Sequence, residues 1–192
     1  VRCEYETEAK SVFDQAKSQG AHGDQFDQIE KRLGSSAFKK SSAQEPSQEQ
    51  LQSLINLYTQ GQHQETLIQA VQVLKEFPNS INLHNIIGST NQSLGNLEKA
   101  VEDFKKALLI KPDYAEAYYN MGNALQQQGK PDQAIEAYTK ALLIRADYAE
   151  AYNNMGVVLQ EQGMLEEAIE AYKKALSIKP WLLYTSDAAD EG

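Results

Sequence analysis

Apolar residues recur at intervals of three and four along most of this chain, and the whole pattern repeats with a period of 34 residues. Such intervals place apolar side chains on one face of an amphipathic helix. Each period holds two such helices, which we term helix A and helix B. The residues that recur most strictly are Gly88, Gly122 and Gly156 in helix A, and Ala100, Phe104, Ala107, Ala134, Tyr138, Ala141, Ala168, Tyr172 and Ala175 in helix B. The pattern predicts an all-α fold in which helix–turn–helix units stack into a solenoid.

Four repeats can be framed on this period, at 47–80, 81–114, 115–148 and 149–180, and the first is the most degenerate. A glycine after each helix A supplies the left-handed conformation that ends a helix. A proline after most copies of helix B prevents its continuation. The segments 113–116 and 147–150 both read Asp-Tyr-Ala-Glu and are predicted to open the following helix A as capping boxes.

The glycines inside helix A need a packing explanation, because glycine in a helix costs about 1 kcal/mol relative to alanine. We expect helix B to cross close to them, with its alanines leaving the necessary room. The aromatic residue between the alanines is then expected to fill the gap to the next repeat.

The N-terminal part of the chain departs from the period. Residues 1–34 are predicted to form a helical hairpin. In it, Ala9, Phe13 and Ala16 have the same spacing, of four and then three residues, as the alanine, aromatic residue and alanine of each helix B. Two interpretations fit this pattern, a partial repeat that has lost its helix A and an ordinary hairpin. Residues 35–46 have the composition of a flexible linker.

The C-terminal end breaks the register after Pro180. Residues 182–191 resemble the translation of a sequencing adapter, as arises in environmental sequencing of bacteria. We therefore expect residues 181–192 to be a non-native tail, and the natural protein to continue beyond Pro180.

The two C-terminal repeats resemble tetratricopeptide repeats closely. The fourth contains Tyr-Asn-Asn-Met-Gly at 152–156 and Ala-Ile-Glu-Ala-Tyr-Lys-Lys-Ala at 168–175, which is similar to the consensus of that family. The third repeat departs from it at Ala146, and the second has His84 and Asn91 where the family usually has an aromatic and an apolar residue or tyrosine. This resemblance covers about two-thirds of the chain. It implies a right-handed superhelix that binds proteins or peptides.

Composition restricts the classes of function. The net charge of −9 argues against nucleic acid and anionic membranes as partners. Cys3 is the single cysteine, which rules out an internal disulfide framework and favours a cytoplasmic, reducing location. No nucleophile elbow, phosphate loop, dinucleotide motif or metal-ligand spacing occurs in the sequence. We therefore expect no enzymatic activity in this fragment, no cofactor and no metal.

The candidate binding residues are those that helix A exposes on the concave face once the packing positions are removed. They are Asn82, Asn85, Ser89, Glu116, Tyr119, Asn120, Asn123, Gln126, Glu150, Asn153, Asn154 and Gln160. These residues predict an amide-rich, mildly acidic groove. Carboxamides both donate and accept, so they can pair with the backbone of an extended peptide whatever its side chains. The alternative explanation of these asparagines is the solubility of a repeat surface.

Two of these residues, Asn120 and Asn154, lie one period apart. They resemble the asparagine ladder in the tetratricopeptide superhelix of O-linked N-acetylglucosamine transferases. Ile86 occupies the same position one repeat earlier and interrupts that ladder.

The sequence therefore predicts a protein–protein interaction module that binds an extended peptide or a partner protein in this groove. Two alternatives are open. The array could be the N-terminal arm of a larger bacterial sulfotransferase or glycosyltransferase, or it could be a scaffold that self-associates through an uncapped final helix.

Overall fold

The computed structural model describes residues 45–180, which form eight α-helices arranged as four A–B pairs. The helices A are α1 (Gln48–Thr59), α3 (Ile81–Ser93), α5 (Ala115–Gln127) and α7 (Ala149–Glu161). The helices B are α2 (His63–Glu76), α4 (Leu97–Ile110), α6 (Pro131–Ile144) and α8 (Leu165–Ile178). The predicted hairpin, the first part of the linker (35–44) and the predicted tail lie outside the described residues.

Neighbouring repeats stack in chain order. Each helix contacts the next one along the chain, and each helix A also contacts the helix A of the adjoining repeat. The helices A therefore form one face of the stack and the helices B form the other. The all-α solenoid predicted from the period is confirmed.

The turn from helix A to helix B depends on glycine. In the third repeat, α5 ends with Gln128 at the C-cap position, and the next residue, Gly129, has a φ of +68°. This left-handed conformation lets the Lys130 amide donate to the carbonyl of Leu125 at 3.0 Å. The corresponding glycines of the other three repeats have φ between +74° and +76°.

The capping boxes predicted at 113–116 and 147–150 are wrong. The N-cap positions belong to Tyr114 and Tyr148, whose side chains make no capping hydrogen bond. The helices begin one residue later than the capping-box pattern requires. The glutamate of each segment therefore stands at the second helical position rather than the third, and it pairs with a cation instead.

The first two helices A are capped in other ways. At α1, Ser47 and Gln50 form a reciprocal capping box with distances of 3.0 and 3.2 Å. At α3, Ser80 is the N-cap, and the Glu45 carboxylate accepts the amide of Ile81 at 2.8 Å. A carboxylate at a helix N-terminus is favoured by the helix dipole. Glu45 therefore ties the segment before α1 to the second repeat.

The glycines inside helix A leave room for an aromatic ring. A Cβ atom on Gly122 would lie 2.6 Å from Cε1 of Tyr138, which is too close for real atoms. The same relation joins Gly88 to Phe104 and Gly156 to Tyr172. The expected explanation is thereby corrected, because the ring of the same repeat, rather than an alanine of helix B, lies against each glycine.

The first repeat reverses this pairing of small and large residues. Leu54 stands at the glycine position of helix A, and Ala70 stands at the aromatic position of helix B. Both are buried, with exposures of 2% and 0%, and they belong to one apolar cluster. The larger residue of the pair therefore lies on helix A instead of helix B. The two helices still pack closely, although the combination of glycine and aromatic residue found in the other repeats is absent.

Candidate functional site

All twelve predicted groove residues lie on helices α3, α5 and α7, and all except Gln160 are partly buried. The structure does not bring them together as one continuous set. Three of them line a cavity against α1, a second group bridges neighbouring helices A, and the two glutamates stand at the first turns of α5 and α7.

The asparagines form hydrogen bonds between successive helices A. Asn120 Nδ2 on α5 donates to Asn85 Oδ1 on α3 at 3.1 Å. Asn154 Nδ2 on α7 donates to the Tyr119 hydroxyl at 3.2 Å and to Asn123 Oδ1 at 2.9 Å. Both donor hydrogens of the Asn154 amide are therefore used within the protein. These asparagines therefore connect neighbouring helices A along the face that the helices A form, which we call the inner face, in addition to any contact with a ligand.

Tyr138 extends this network from helix B. Its ring is completely buried, and its hydroxyl shares its hydrogen between Asn123 Oδ1 at 2.8 Å and Gln126 Oε1 at 3.2 Å. Burial raises the pKa of Tyr138 further above its ordinary value of 10.0, so the hydroxyl remains a donor in mildly alkaline as well as neutral solution. Asn123, Gln126 and Asn154 also line a cavity of about 550 Å³.

The glutamates at the first turns of α5 and α7 are neutralised by cations from the end of helix B. Arg145 donates to Glu116 Oε1 at 2.8 Å, and Lys179 pairs with Glu150. The hydrogen bond from Lys179 lowers the pKa of Glu150 despite partial desolvation. These two residues therefore add little net negative charge to the groove.

Arg145 also fixes the turn that leads into α7. Its guanidinium lies 3.4 Å from the centroid of the Tyr148 ring, and that ring lies 4.8 Å from the Tyr119 ring. The guanidinium is therefore held by both a carboxylate and an aromatic face. This arrangement orients Tyr119, a predicted groove residue, from the side of the turn.

A cavity of about 420 Å³ opens between α1 and α3. Its apolar lining comes from Leu51, Ile55 and Ile86. Its polar lining comes from predicted groove residues and others around them: Asn82, Asn85, Ser89, Gln48, Gln52, Tyr58 and Tyr114. None of these residues carries a formal charge at neutral pH.

Sequence reasoning missed the α1 side of this cavity. Gln48, Leu51 and Ile55 stand one period before Asn82, Asn85 and Ser89, which were predicted. The signal was therefore present in the period. It was overlooked because the first repeat lacks the family motif from which the inner face was derived.

A buried polar cluster distinguishes the second repeat. His84 Nδ1 lies 3.7 Å from Asp103 Oδ1, while Asn91 and Lys106 donate to the same carboxylate at 3.3 and 3.1 Å. His84 is 6% exposed, and its Nε2 lies 3.2 Å from the carbonyl oxygen of Pro78. Burial favours the neutral acid, but the contacts from His84 and Lys106 outweigh it and lower the pKa of Asp103. The cluster lies in the packing between helices A and B rather than in the groove.

Two further properties concern metal binding and membranes. Within residues 45–180, no three side chains of His, Cys, Asp or Glu are grouped so that they could hold a metal ion. In the same part of the chain, no helix combines the length and the apolar character needed to cross a membrane.

Comparisons with known proteins agree with this architecture. The sequence profile of the tetratricopeptide repeat matches residues 113–180, and a TPR repeat profile matches residues 88–129. A crystal structure of MamA is 32% identical over 67% of this chain and 75% of its own, with a TM-score of 0.62. Another MamA structure covers 98% of this chain and 97% of its own at 22% identity and a TM-score of 0.63.

A structure of PilF from Pseudomonas aeruginosa is 19% identical over 69% of this chain and 60% of its own, with a TM-score of 0.65. At that identity the likeness concerns the fold alone. No curated protein sequence matches the chain.

Proposed function

Because this chain belongs to the tetratricopeptide repeat family, whose arrays serve as protein-interaction modules, we propose that its inner face binds an extended segment of a partner protein. The observation that carries the proposal is the row of amide and hydroxyl side chains along α3, α5 and α7. These groups are only partly buried, so an extended backbone that lies across the helices A can reach them.

Several of these groups keep hydrogen-bonding capacity after the internal bonds are counted. Asn85 accepts a hydrogen bond but donates none to another described residue, and Asn120 donates one but accepts none from residues 45–180. Asn153 donates weakly to Asn154 at 3.4 Å, and its own oxygen accepts from no described residue. A peptide amide has one donor and one acceptor, so this mixture suits a backbone better than a ligand of one polarity.

The proposal is tested by selecting random 12-residue peptides on the immobilised full chain and measuring the affinity of enriched peptides by fluorescence anisotropy. We expect Asn120→Ala and Asn153→Ala each to weaken binding about threefold to tenfold, the equivalent of one hydrogen bond. Gln133→Ala, on the exposed side of α6, is the control and should leave binding unchanged. Circular dichroism of each variant excludes unfolding as the cause. Enriched peptides that bind all three variants as tightly as the parent would reject a groove site.

Self-association through α8 is a second candidate, favoured by one observation. Ile169 on α8 is 52% exposed, whereas Val101, at the same position two repeats earlier, is 8% exposed. The following repeats cover this position in the middle of the stack, so a second copy of the chain could cover it at α8. Light scattering should then show a dimer that Ile169→Gln dissociates, and a monomer at every concentration would reject this candidate.

A further inference from the structure

We propose that the cavity between α1 and α3 is the anchor subsite of the groove, and that it receives one bulky aliphatic or aromatic side chain of the partner segment. This inference rests on the proposed function, because it assumes that a peptide segment binds in the groove. It adds that one side chain of that segment, held in the cavity, supplies most of the binding energy. The occupant is a segment of another protein whose anchor residue is flanked by uncharged residues.

The first support is the chemistry of the lining. Leu51, Ile55 and Ile86 give the cavity an apolar wall, and Ile55 is 41% exposed although it is a large apolar residue. The lining side chains carry no charge, and the carboxylate of the neighbouring Glu45 is already hydrogen-bonded to Ser80, Ile81 and Asn82. A charged side chain that enters the cavity therefore loses hydration without meeting a counter-charge among the lining residues. An apolar side chain, by contrast, is stabilised in the cavity because it leaves water.

The second support is the interruption of the asparagine bonds at this point. Asn120 and Asn154 each bond the preceding helix A, but Ile86 occupies the same position on α3 and makes no side-chain hydrogen bond. On α1, the corresponding Gln52 bonds Asn56 within its own helix. The helices α1 and α3 therefore lack an amide bridge at this position, and the cavity opens there. Their side-chain hydrogen bond, between the hydroxyls of Tyr58 and Ser93 at 3.1 Å, lies at the C-terminal ends of the two helices.

The third support is the placement of the polar rim. Asn82, Asn85 and Ser89 lie beside the apolar wall and continue towards the amides of α5. A backbone that places its anchor side chain in the cavity therefore reaches these amides next. A cavity of about 420 Å³ also lies within the size range of sites that bind ligands.

The test uses the peptides selected on the full chain, with anisotropy as the readout. We expect the enriched peptides to share one Leu, Ile, Met, Phe or Trp with uncharged neighbours. Ile55→Asn should weaken their binding about tenfold or more, as loss of an anchor contact does. Ile86→Asn, which restores the residue of the third and fourth repeats, should do the same. Leu109→Asn is the matched control, because Leu109 is 80% exposed on α4 and lies outside the groove.

Thermal melts decide whether a variant has lost structure, and Ile55→Asn remains informative if Ile86→Asn is destabilised, because Ile55 is the more exposed residue. Peptides that lose affinity with Asn120→Ala but not with Ile55→Asn would overturn the anchor subsite and leave the groove function standing. Peptides insensitive to all of these variants would overturn both. A dimer that Ile55→Asn dissociates would mean that a second copy fills the cavity, and it would overturn the assignment to another protein.

Discussion

Tyr138 and Gly122 are complementary in size. The ring of Tyr138 lies so close to the Gly122 backbone that even a methyl group would be only 2.6 Å from Cε1. The ring is fully buried, and its hydroxyl continues into the hydrogen-bond network of the groove. One side chain therefore joins the packing of the repeat to the geometry of the candidate site.

Gly122→Ala is expected to lower the free energy of unfolding by about 1–3 kcal/mol, because the added methyl overlaps the ring. This loss opposes the gain of about 1 kcal/mol in helix propensity that alanine brings. Urea unfolding of the parent and the variant measures the difference. In a Tyr138→Leu background the same change should cost less, and an equal cost in both backgrounds would contradict the overlap.

Tyr138→Phe removes the hydroxyl and keeps the packing. We expect it to lower the free energy of unfolding by about 1 kcal/mol, since Gln126 Oε1 and Asn123 Oδ1 lose a buried donor. Tyr172→Phe is the matched comparison, because that hydroxyl donates only to the exposed Gln160. Thermal melts should show the larger loss for Tyr138→Phe, and equal losses would mean that the network adds no stability.

Glu45→Ala is expected to cost about 1–3 kcal/mol, because a charged acceptor is lost at the N-terminus of α3. Glu102→Ala, at an exposed glutamate in the middle of α4, is the control and should be nearly neutral. Hydrogen exchange gives a more local readout, since the amide of Ile81 donates to Glu45. Unchanged exchange of that amide in Glu45→Ala would show that the contact is not maintained in solution.

Asp103 predicts a pH dependence of stability. Its pKa in the folded chain lies below the ordinary value of 3.8, so the unfolded chain takes up the proton more readily. The stability that this group contributes is complete above about pH 5 and is lost as the pH falls through the folded pKa. Asp103→Asn should therefore flatten the decrease in melting temperature below about pH 5, whereas Asp147→Asn, an exposed control, should not. Identical slopes in the parent and Asp103→Asn would reject this contribution.

The helical architecture follows from the sequence because its determinants are local. Gly129 ends α5 by its own backbone conformation, and the spacing of Ala134, Tyr138 and Ala141 places them on one face of α6 whatever surrounds it. The N-caps were harder to predict, because the pattern Asp-Tyr-Ala-Glu permits two starting residues. With the observed start, Glu116 pairs with Arg145, which is 29 residues away and is therefore not visible in the local pattern.

The candidate site was only partly predictable for a related reason. The helical period shows that Asn154 faces the inner side, but its partners Tyr119 and Asn123 are 35 and 31 residues away. Whether such a pair meets depends on the angle between repeats, which no local pattern encodes. Asp103 was not predicted because nothing in the period singles out its position, at which the third and fourth repeats have Ala137 and Ala171. Its proximity to His84, at 3.7 Å, is visible only in the fold.

The exchange between Leu54 and Ala70 restricts how this array can evolve. Tandem repeats lengthen when misaligned copies recombine, and a crossover between helix A and helix B would separate the two members of a pair. One product would join Leu54 to an aromatic ring, and the reciprocal product would join a glycine to Ala70 and leave a void. A recombinant repeat therefore keeps this packing only when Leu54 and Ala70 are transferred together.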